Sequence, residues 1–130
     1  MKFFTHMVVR FADLDMLGHV NNAVFFSYTE FARLEFFAFL GITDKEFPSC
    51  LLARVVANHV KAVHYGDTVQ ISTWVVKVGT KSFTVQHEVV ANDILAATFE
   101  TVLVWYDHHA KQSLVVPDVA RAKLLEYWKP

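Results

Sequence analysis

One segment in the first third of the 130-residue chain is apolar on almost every side when it is drawn as a helix. Its apolar side chains surround the axis: Val24, Phe25, Phe26, Tyr28, Phe31, Ala32, Leu34, Phe36, Phe37, Phe39 and Leu40. A narrow polar line crosses it at a spacing of three residues, formed by Ser27, Glu30 and Arg33. A helix of this kind is buried rather than laid on a surface. The rest of the chain is therefore expected to wrap it.

The remainder of the chain is rich in strand patterns that can supply the wrapping. Strand-like runs cover residues 3–11, 51–64, 68–78, 82–91 and 94–107, and a short last strand is predicted at 113–116. Side chains of alternating character in 3–11, 82–91 and 94–107 support this interpretation. Short turns at Gly66-Asp67, Gly79-Thr80 and Asn92-Asp93 join long strands, so the sheet is predicted to be antiparallel. The predicted fold class is α+β, with a curved antiparallel sheet of five to six strands wrapped around a long central helix.

Both predicted helices have recognisable ends. The central helix is expected to begin at Asn21 or Asn22, which are good N-cap residues, and to end at Leu40 because Gly41 suits the position after the last turn. A C-terminal helix is predicted over residues 117–128, with Pro117 at an early position. The length is typical of one domain, taken here as residues 1–130.

Composition limits the partners of this chain. The hydrophobic fraction is 54%, which exceeds the norm of about 45–50%. The surplus indicates a subunit interface or a ligand tunnel, so we expect a homodimer or a homotetramer. The net charge of −1 does not provide the excess of positive charge that is typical of nucleic-acid-binding proteins, so we expect no nucleic-acid partner.

Cysteine and apolar patterning favour a cytoplasmic, soluble protein. The single cysteine, Cys50, excludes an internal disulfide and suits a reducing compartment. No charged-then-apolar leader opens the chain, and the longest apolar run, residues 31–40, is too short to span a bilayer. We therefore expect no membrane partner. The seven histidines show no ligand spacing, so no metal site is predicted.

Polar and ionisable side chains are clustered between the first predicted strand and the central helix. Two carboxylates, an imidazole and two amides lie within residues 10–22, as Asp13, Asp15, His19, Asn21 and Asn22. A polar cluster beside apolar surface is typical of a site that holds a reacting group next to a hydrophobic ligand.

These residues resemble a known family, the hotdog-fold acyl-CoA thioesterases, and within it the 4-hydroxybenzoyl-CoA thioesterase-like group. The resemblance rests on VRFADLDMLGHVNNAVF at residues 9–25, followed by EFARLE at 30–35. Two weaker turn motifs support it, VHYGDTV at 63–69 and GTKSF at 79–83. The resemblance implies a hotdog fold and hydrolysis of an acyl thioester of coenzyme A, without a metal or a redox cofactor.

The resemblance also implies roles for individual residues. Asp15 corresponds to the catalytic carboxylate, acting as nucleophile or as general base for water. The oxyanion donor is a backbone N–H at the start of the central helix, by position Asn22. A free helix N-terminus suits this task, because its N–H groups carry partial positive charge. His19 orients Asp15, orders the water or caps the helix.

Substrate contacts are assigned to Asn21, Phe25, Tyr65 and Lys81, with Lys81 or nearby turn residues at the nucleotide end. The stretch His-Val-Asn-Asn after Gly18 differs from the aromatic-substrate members and favours an aliphatic acyl group. An aromatic acyl-CoA remains the alternative substrate. Two further alternatives are a non-catalytic acyl-CoA-binding hotdog protein and a hotdog dehydratase.

Other polar residues have simpler interpretations. Asp13 is expected to play a structural role, pairing with Arg10. Glu30 and Arg33 are expected to form an ion pair across one helical turn, because an unpaired charge under a wrapped sheet is costly. The alternative is that Glu30 faces the site. The Asp-Leu-Asp sequence at 13–15 also mimics the opening of haloacid-dehalogenase-type phosphatases, a fold that requires a parallel sheet.

Overall fold

The computed structural model describes residues 1–42 and 50–130, which form two helices and a six-stranded sheet. In chain order the elements are β1 (Phe3–Val8), a 3-10 turn (Phe11–Asp13), α1 (Val24–Leu40), β2 (Cys50–His59), β3 (Thr68–Val78), β4 (Ser82–Ala91), β5 (Ile94–Asp107), β6 (Gln112–Ser113) and α2 (Asp118–Leu125). The predicted α+β class and the curved antiparallel sheet are confirmed.

The five long strands lie in the order β1-β3-β4-β5-β2, and each pairs antiparallel with its neighbours. The short β6 adds to the end of β5. This topology excludes the phosphatase alternative, which needs a parallel sheet. Strand β2 has one neighbour among the described residues, so the main-chain groups along its other side form an open edge.

Two strands end earlier than their sequence patterns predicted. Strand β1 stops at Val8 rather than at residue 11, because the chain folds into the turn at Phe11–Asp13. Strand β2 stops at His59 rather than at residue 64. There the N–H groups of Val60 and Lys61 both donate to the carbonyl of Ala96, at 2.7 and 3.0 Å, which turns the chain out of the ladder.

The start of α1 also differs from the prediction, while its end agrees. Asn21 caps the turn that leads into the helix: its Oδ1 accepts the Ala23 N–H at 2.9 Å, and its carbonyl accepts the Val24 N–H at 2.8 Å. The helix itself begins at Val24. Gly41 ends it with a left-handed φ of 72°, as expected.

The C-terminal elements are shorter or shifted relative to their predicted ranges. Strand β6 is Gln112–Ser113, because beyond it the chain contacts Trp105 and then Thr80 through single backbone hydrogen bonds. Helix α2 ends at Leu125 rather than at 128, and the last residues turn to pair Trp128 with Val75.

The sheet covers only one side of α1, so the expectation of a fully wrapped helix is wrong for a single chain. Phe25, Tyr28, Ala32 and Phe36 are buried against the sheet. The opposite side exposes four large apolar side chains, Phe26, Phe31, Leu34 and Phe39, with Leu34 53% exposed. One curved sheet buries only the side of the helix that packs on it, so a helix that is apolar on all sides keeps apolar residues exposed on the other.

A line of polar residues divides the core beneath α1 into two apolar clusters. Thr73 lies between Ile71 and Val75 on β3, and His87 lies between the buried residues 85 and 89 on β4. Thr101 takes the same place on β5. We call Thr73, His87 and Thr101 the polar belt. Its members are almost wholly inaccessible to solvent.

His87 is the most unusual member of the polar belt, because it is an ionisable group with 0% exposure. Its Nδ1 lies 2.9 Å from Thr73 Oγ1, while its Nε2 has no hydrogen-bond partner among the described residues. Burial, together with the positive charge of Arg33, lowers the pKa of His87 to about 3. The imidazole is therefore neutral in the folded protein near neutral pH.

This burial predicts a specific loss of stability in acid. The unfolded chain takes up a proton on His87 near pH 6.5, whereas the folded chain does so only near pH 3. The free energy of unfolding should therefore fall between these values as the pH is lowered. The fall should be on the order of several kcal/mol, since one pKa unit corresponds to about 1.4 kcal/mol.

The expected result for His87→Gln is a flatter dependence of stability on pH between 7 and 4, measured by urea unfolding. His6→Gln is the matched control, because His6 is an exposed histidine on β1. Parallel curves for wild type and His87→Gln would show that His87 is not the group that titrates.

Candidate active site

The loop that carries Asp15 is closed by its own backbone. The Asp15 N–H donates to the His19 carbonyl at 2.8 Å, and the Gly18 N–H donates to the Asp15 carbonyl at 3.1 Å. Gly18 has a φ of 79°, in the left-handed region that favours glycine. The side-chain Oδ1 of Asp15 accepts the N–H groups of Leu17 and His19, at 2.9 and 3.3 Å. Asp15 Oδ2 has no partner among the described residues and stays available.

Asp13 anchors this loop to the sheet and to α1. Its carboxylate is 2% exposed and accepts the Arg10 Nη2 at 2.9 Å, the Arg10 backbone N–H at 2.9 Å and the Tyr28 hydroxyl at 2.7 Å. Its carbonyl accepts the Asn21 N–H at 2.9 Å. The predicted pairing of Asp13 with Arg10 is confirmed, and all these bonds give Asp13 a structural role.

Electrostatics agree with that role. Burial raises the pKa of the Asp13 carboxyl, but the hydrogen bonds from Arg10 and Tyr28 outweigh it and hold the pKa below its ordinary value. The pKa of Tyr28 is raised, first by burial and then by its bond to Asp13. Asp13 is thus an ionised acceptor near neutral pH with hydrogen bonds to both oxygens, whereas Asp15 has one oxygen without a partner among the described residues.

A cleft of about 290 Å³ opens beside Asp15 at the N-terminal end of α1. Its lining joins the motif loop to the end of β2 and the segment that follows: Asp15, Leu17, His19, Val20, Asn22, Phe25, His59, Val60, Lys61 and Ala62. The three predicted catalytic residues and Phe25 therefore share one cleft. The backbone N–H of Asn22 forms no hydrogen bond in the part of the chain that is described.

Two histidines at the site had no functional role in the sequence analysis. His59 lines the cleft and packs its ring against Phe25 and Phe99, with centroids 5.2 and 5.9 Å apart. His64 packs edge-on against His19 at 4.9 Å, beside a bond of 2.7 Å from the Val20 N–H to the Val63 carbonyl. The sequence contained no signal for these pairings, because they depend on the bend after His59.

The turn that follows His64 is fixed by hydrogen bonds to the carboxylate of Asp67. Asp67 accepts the His64 N–H at 2.8 Å and the Asn92 side-chain amide at 2.9 Å. The bond from the His64 N–H, assisted by Asn92, lowers the pKa of Asp67 in spite of its partial burial. This turn therefore holds His64 beside His19.

Three predicted substrate contacts lie outside the cleft of a single chain. The side chain of Asn21 is occupied by its cap on Ala23. Tyr65 is 64% exposed and does not line the cleft. Lys81 follows the end of β3 that is farthest from Val8, so it lies at the opposite end of the sheet from Asp15.

The predicted Glu30–Arg33 ion pair is wrong. Glu30 is exposed and Arg33 is buried, and the ion pairs among the described residues do not join them. The pKa of Arg33 is lowered by burial, and the charge of Glu30 opposes this effect only in part. The positive charge of Arg33 also contributes, after burial, to the lowered pKa of His87, and it partly offsets the effect of burial that raises the pKa of Cys50.

Comparison with known proteins identifies the family. The model of the thioesterase-like superfamily matches residues 9–124. This chain belongs to the thioesterase-like superfamily. The match includes the Asp15 loop, all of α1 and the four long strands from β2 to β5, so the resemblance noted from the sequence motif is confirmed.

Solved structures of the family share the fold of this chain over nearly its whole length. A thioesterase of Thermus thermophilus, complexed with coenzyme A and zinc, is 33% identical, with a TM-score of 0.85 over 95% of this chain and 92% of that one. A predicted thioesterase of Bacillus stearothermophilus is 26% identical, with a TM-score of 0.91 over 100% of this chain and 99% of the other. The hotdog fold is thereby confirmed.

A curated relative matches a smaller part. The uncharacterized protein YsmA of Bacillus subtilis (strain 168) is 28% identical over 87 residues, which span 66% of this chain and 59% of that protein. Within residues 1–42 and 50–130, no three His, Cys, Asp or Glu side chains are grouped closely enough to hold a metal ion. Neither described helix is long and apolar enough to cross a membrane.

Proposed function

We propose that this protein is an acyl-CoA thioesterase that hydrolyses an acyl-CoA to the free acid and coenzyme A. The observation that carries the proposal is that one cleft is lined by both Asp15 and Asn22, which lies just before α1. Neither the Oδ2 of Asp15 nor the N–H of Asn22 has a hydrogen-bond partner among the described residues. Membership of the thioesterase-like superfamily and the coenzyme A bound in the Thermus relative support it.

The proposed chemistry needs one carboxylate and one oxyanion donor. Asp15 attacks the thioester carbonyl, or removes a proton from the water that attacks it, through Oδ2. The C–S bond then breaks and coenzyme A leaves as a thiolate. If Asp15 is the nucleophile, the acyl group is left on Asp15 as a mixed anhydride, and water cleaves this bond to give the free acid and the Asp15 carboxylate. If Asp15 is the general base, water supplies the new hydroxyl of the acid, and the proton held by Asp15 passes to the thiolate or to solvent. The N–H of Asn22 stabilises the negative oxygen of the tetrahedral intermediate, an interaction worth about 3 kcal/mol of barrier.

The neighbouring side chains are proposed to position the acyl group and the carbonyl. Phe25 and His59 form an aromatic wall next to Asp15, suited to an aliphatic chain. His19, held against His64, keeps the Asp15 loop closed through its backbone N–H and presents its ring to the cleft. Tyr65 does not line the cleft, and a contact between its exposed side chain and the carrier end of the substrate stays a prediction.

We further propose that the active unit is a dimer formed along β2. The open edge of β2 lies beside the exposed side of α1, and together they give one apolar surface, including Leu52 and Leu34. Antiparallel pairing of two β2 edges about a two-fold axis sets the His59 end of one strand against the Cys50 end of the other. That arrangement brings the partner subunit's Lys81 towards the cleft, which the Lys81 of the same chain does not reach.

The role of Asp15 is tested by Asp15→Asn. The variant should fold and bind acyl-CoA, because the amide oxygen still accepts the N–H groups of Leu17 and His19. Turnover, followed as thiol release, should fall by a factor of about 100 or more, as expected when a positioned catalytic group is lost. Asp93→Asn is the matched control, since Asp93 is an exposed turn residue whose left-handed φ of 64° suits asparagine. Normal turnover in folded Asp15→Asn would remove Asp15 from the mechanism.

The substrate class is tested with acyl-CoAs of increasing length beside benzoyl- and hydroxybenzoyl-CoA. An apolar channel gains about 0.8 kcal/mol for each buried CH₂. The value of kcat/KM should therefore climb with chain length, by several-fold at most for each methylene, until the channel is full. Values that stay flat with length and peak for the aromatic esters would favour an aromatic substrate. Tight binding of every ester without thiol release would favour a binding protein.

The oligomeric state is tested by light scattering at the enzyme concentration of the assay. The wild type should be a dimer or a larger assembly. Leu34→Glu should shift it towards monomer and lower activity, because a charge then lies in the apolar contact. Leu125→Glu is the control, as Leu125 is equally exposed but lies on α2. A fully active wild-type monomer would rule out a shared site.

A further inference from the structure

The ring of His19 is the part of the cleft whose task is left open by the hydrogen bonds around it. Within the described residues, the loop uses the backbone of His19: its N–H donates to Asp15 Oδ1 at 3.3 Å, and its carbonyl accepts the Asp15 N–H. The entrance of α1 is capped by Asn21. Among the described residues the His19 ring thus neither holds Asp15 nor caps the helix by a hydrogen bond. It lines the cleft, where it can contact the substrate or the attacking water.

The neighbour that limits the orientation of this ring is His64. His19 and His64 form an isolated antiparallel bridge, and the adjacent N–H of Val20 donates to the carbonyl of Val63 at 2.7 Å. Side chains directly opposite each other in such a pair have Cβ atoms about 4.5–5.5 Å apart, so large ones contact each other. The two imidazoles meet edge-on, with centroids 4.9 Å apart and planes at 85°. The position of the His64 ring therefore sets the space that is open to the His19 ring.

His64 is itself fixed by Asp67, through two reciprocal hydrogen bonds. Asp67 Oδ2 accepts the His64 N–H at 2.8 Å, and the Asp67 N–H donates to the His64 carbonyl at 3.1 Å. Gly66 allows this tight turn with a left-handed φ of 90°. The Nδ1 of the His64 ring lies 3.8 Å from the same Oδ2. The pKa of Asp67 is below its ordinary value, first because of the bond from the His64 N–H, so the acceptor is ionised near neutral pH and its hydrogen bonds are strong.

The second oxygen of Asp67 joins this turn to the sheet. Asp67 Oδ1 accepts the side-chain amide of Asn92 at 2.9 Å, and Asn92 lies in the turn between β4 and β5. The backbone of Thr68 holds Asn92 in place: the Thr68 N–H donates to Asn92 Oδ1 at 2.9 Å, and the Thr68 carbonyl accepts the Asn92 N–H at 3.0 Å. One carboxylate thus connects His64 with the ends of three strands, β3, β4 and β5.

We propose that His64 and Asp67 are positioning residues of the proposed active site. Asp67 fixes His64 through the turn, and His64 sets the orientation in which the His19 ring meets the reacting group. This inference rests on the proposed thioesterase function, since it assigns roles at the same site. Neither His64 nor Asp67 is among the residues that line the cleft, so both act through His19 rather than on the substrate.

The first experiment measures kcat and KM of His64→Ala and His64→Phe with an acyl-CoA that the wild type hydrolyses. In His64→Ala kcat should fall about 10- to 100-fold with little change in KM, as expected when a reacting group is misplaced while the pocket stays intact. In His64→Phe most of kcat should return, because a phenyl ring keeps an edge against His19. His109→Ala is the control, since His109 is an exposed histidine of the turn after β5. An unchanged kcat in His64→Ala would overturn the inference.

The support that Asp67 gives to His64 is tested by Asp67→Asn, alone and combined with His64→Ala. Asparagine has the same shape but one acceptor oxygen in place of two, so it cannot keep both of the bonds that Asp67 accepts. Its kcat should fall, and the double variant should be no slower than His64→Ala, because residues that act through one contact are not additive. Asp107→Asn is the matched control, as Asp107 accepts two N–H groups of a turn, at 2.9 and 3.1 Å, at the opposite end of β5. Fully additive losses would show that Asp67 does not act through His64.

A measurement without turnover separates this inference from the proposed function. The ring C–H signals of His19 are followed by NMR in protein with labelled histidine, and they are assigned by their loss in His19→Gln. Because the neighbouring aromatic ring shifts these signals, His64→Ala and Asp67→Asn should both move them, while Asp107→Asn should not. Unmoved His19 signals in Asp67→Asn would overturn the inference even in an active thioesterase. Moved signals in a protein that releases no thiol from any acyl-CoA would support the positioning contacts and count against the proposed function.

Discussion

The site depends on one buried carboxylate that takes no part in the proposed chemistry. Asp13 receives Arg10 and Tyr28 on its side chain and Asn21 on its carbonyl, and so joins the end of β1, the middle of α1 and the helix entrance. With these three points fixed, the segment between Asp13 and Asn21 has little freedom. It forms the tight turn that places Asp15 and Asn22 in the lining of one cleft, just before α1 begins. The precision of the site therefore comes from the residue beside Asp15, because hydrogen bonds to a buried charge are strong and directional.

The fold could be predicted from the sequence where the pattern was local. Strands β3, β4 and β5 have the predicted bounds, because alternation and turn residues fix each of them independently. The errors occurred where a distant contact sets the boundary. Strand β2 ends at His59 because of the Ala96 carbonyl, and β1 ends early because Asp13 draws the chain into a turn. Likewise the motif predicted the cluster of Asp15, His19 and Asn22, whereas His59 and His64 join it only through the bend after β2.

The continuous apolar surface of α1 connects the fold to the function. A helix that is apolar on all sides must be buried on both of its sides, and the sheet of a single chain buries only one of them. The uncovered side includes Phe26, whose ring packs on Phe99 at 5.3 Å, and Phe99 in turn contacts His59 of the cleft. A partner that covers this part of α1 therefore comes close to the cleft. For this reason the proposed dimer contact and the proposed substrate site involve the same part of α1. The exposed apolar side chains of α1 and β2, among them Leu34 and Leu52, account for part of the hydrophobic surplus in the composition.

The distribution of charge beneath α1 argues that the interior was shaped for more than packing. An apolar core is the simpler solution for a helix on a sheet, since replacing buried charges with apolar residues is often neutral or stabilising. Here the core is interrupted by the polar belt and by Arg33, and it contains an unsatisfied imidazole nitrogen. Glu30, the residue that sequence reasoning paired with Arg33, instead faces solvent one turn away. Among the described residues, Arg33 has no ion-pair partner and the Nε2 of His87 has no hydrogen-bond partner, so these two groups mark the part of the interior where apolar packing alone does not account for the side chains present.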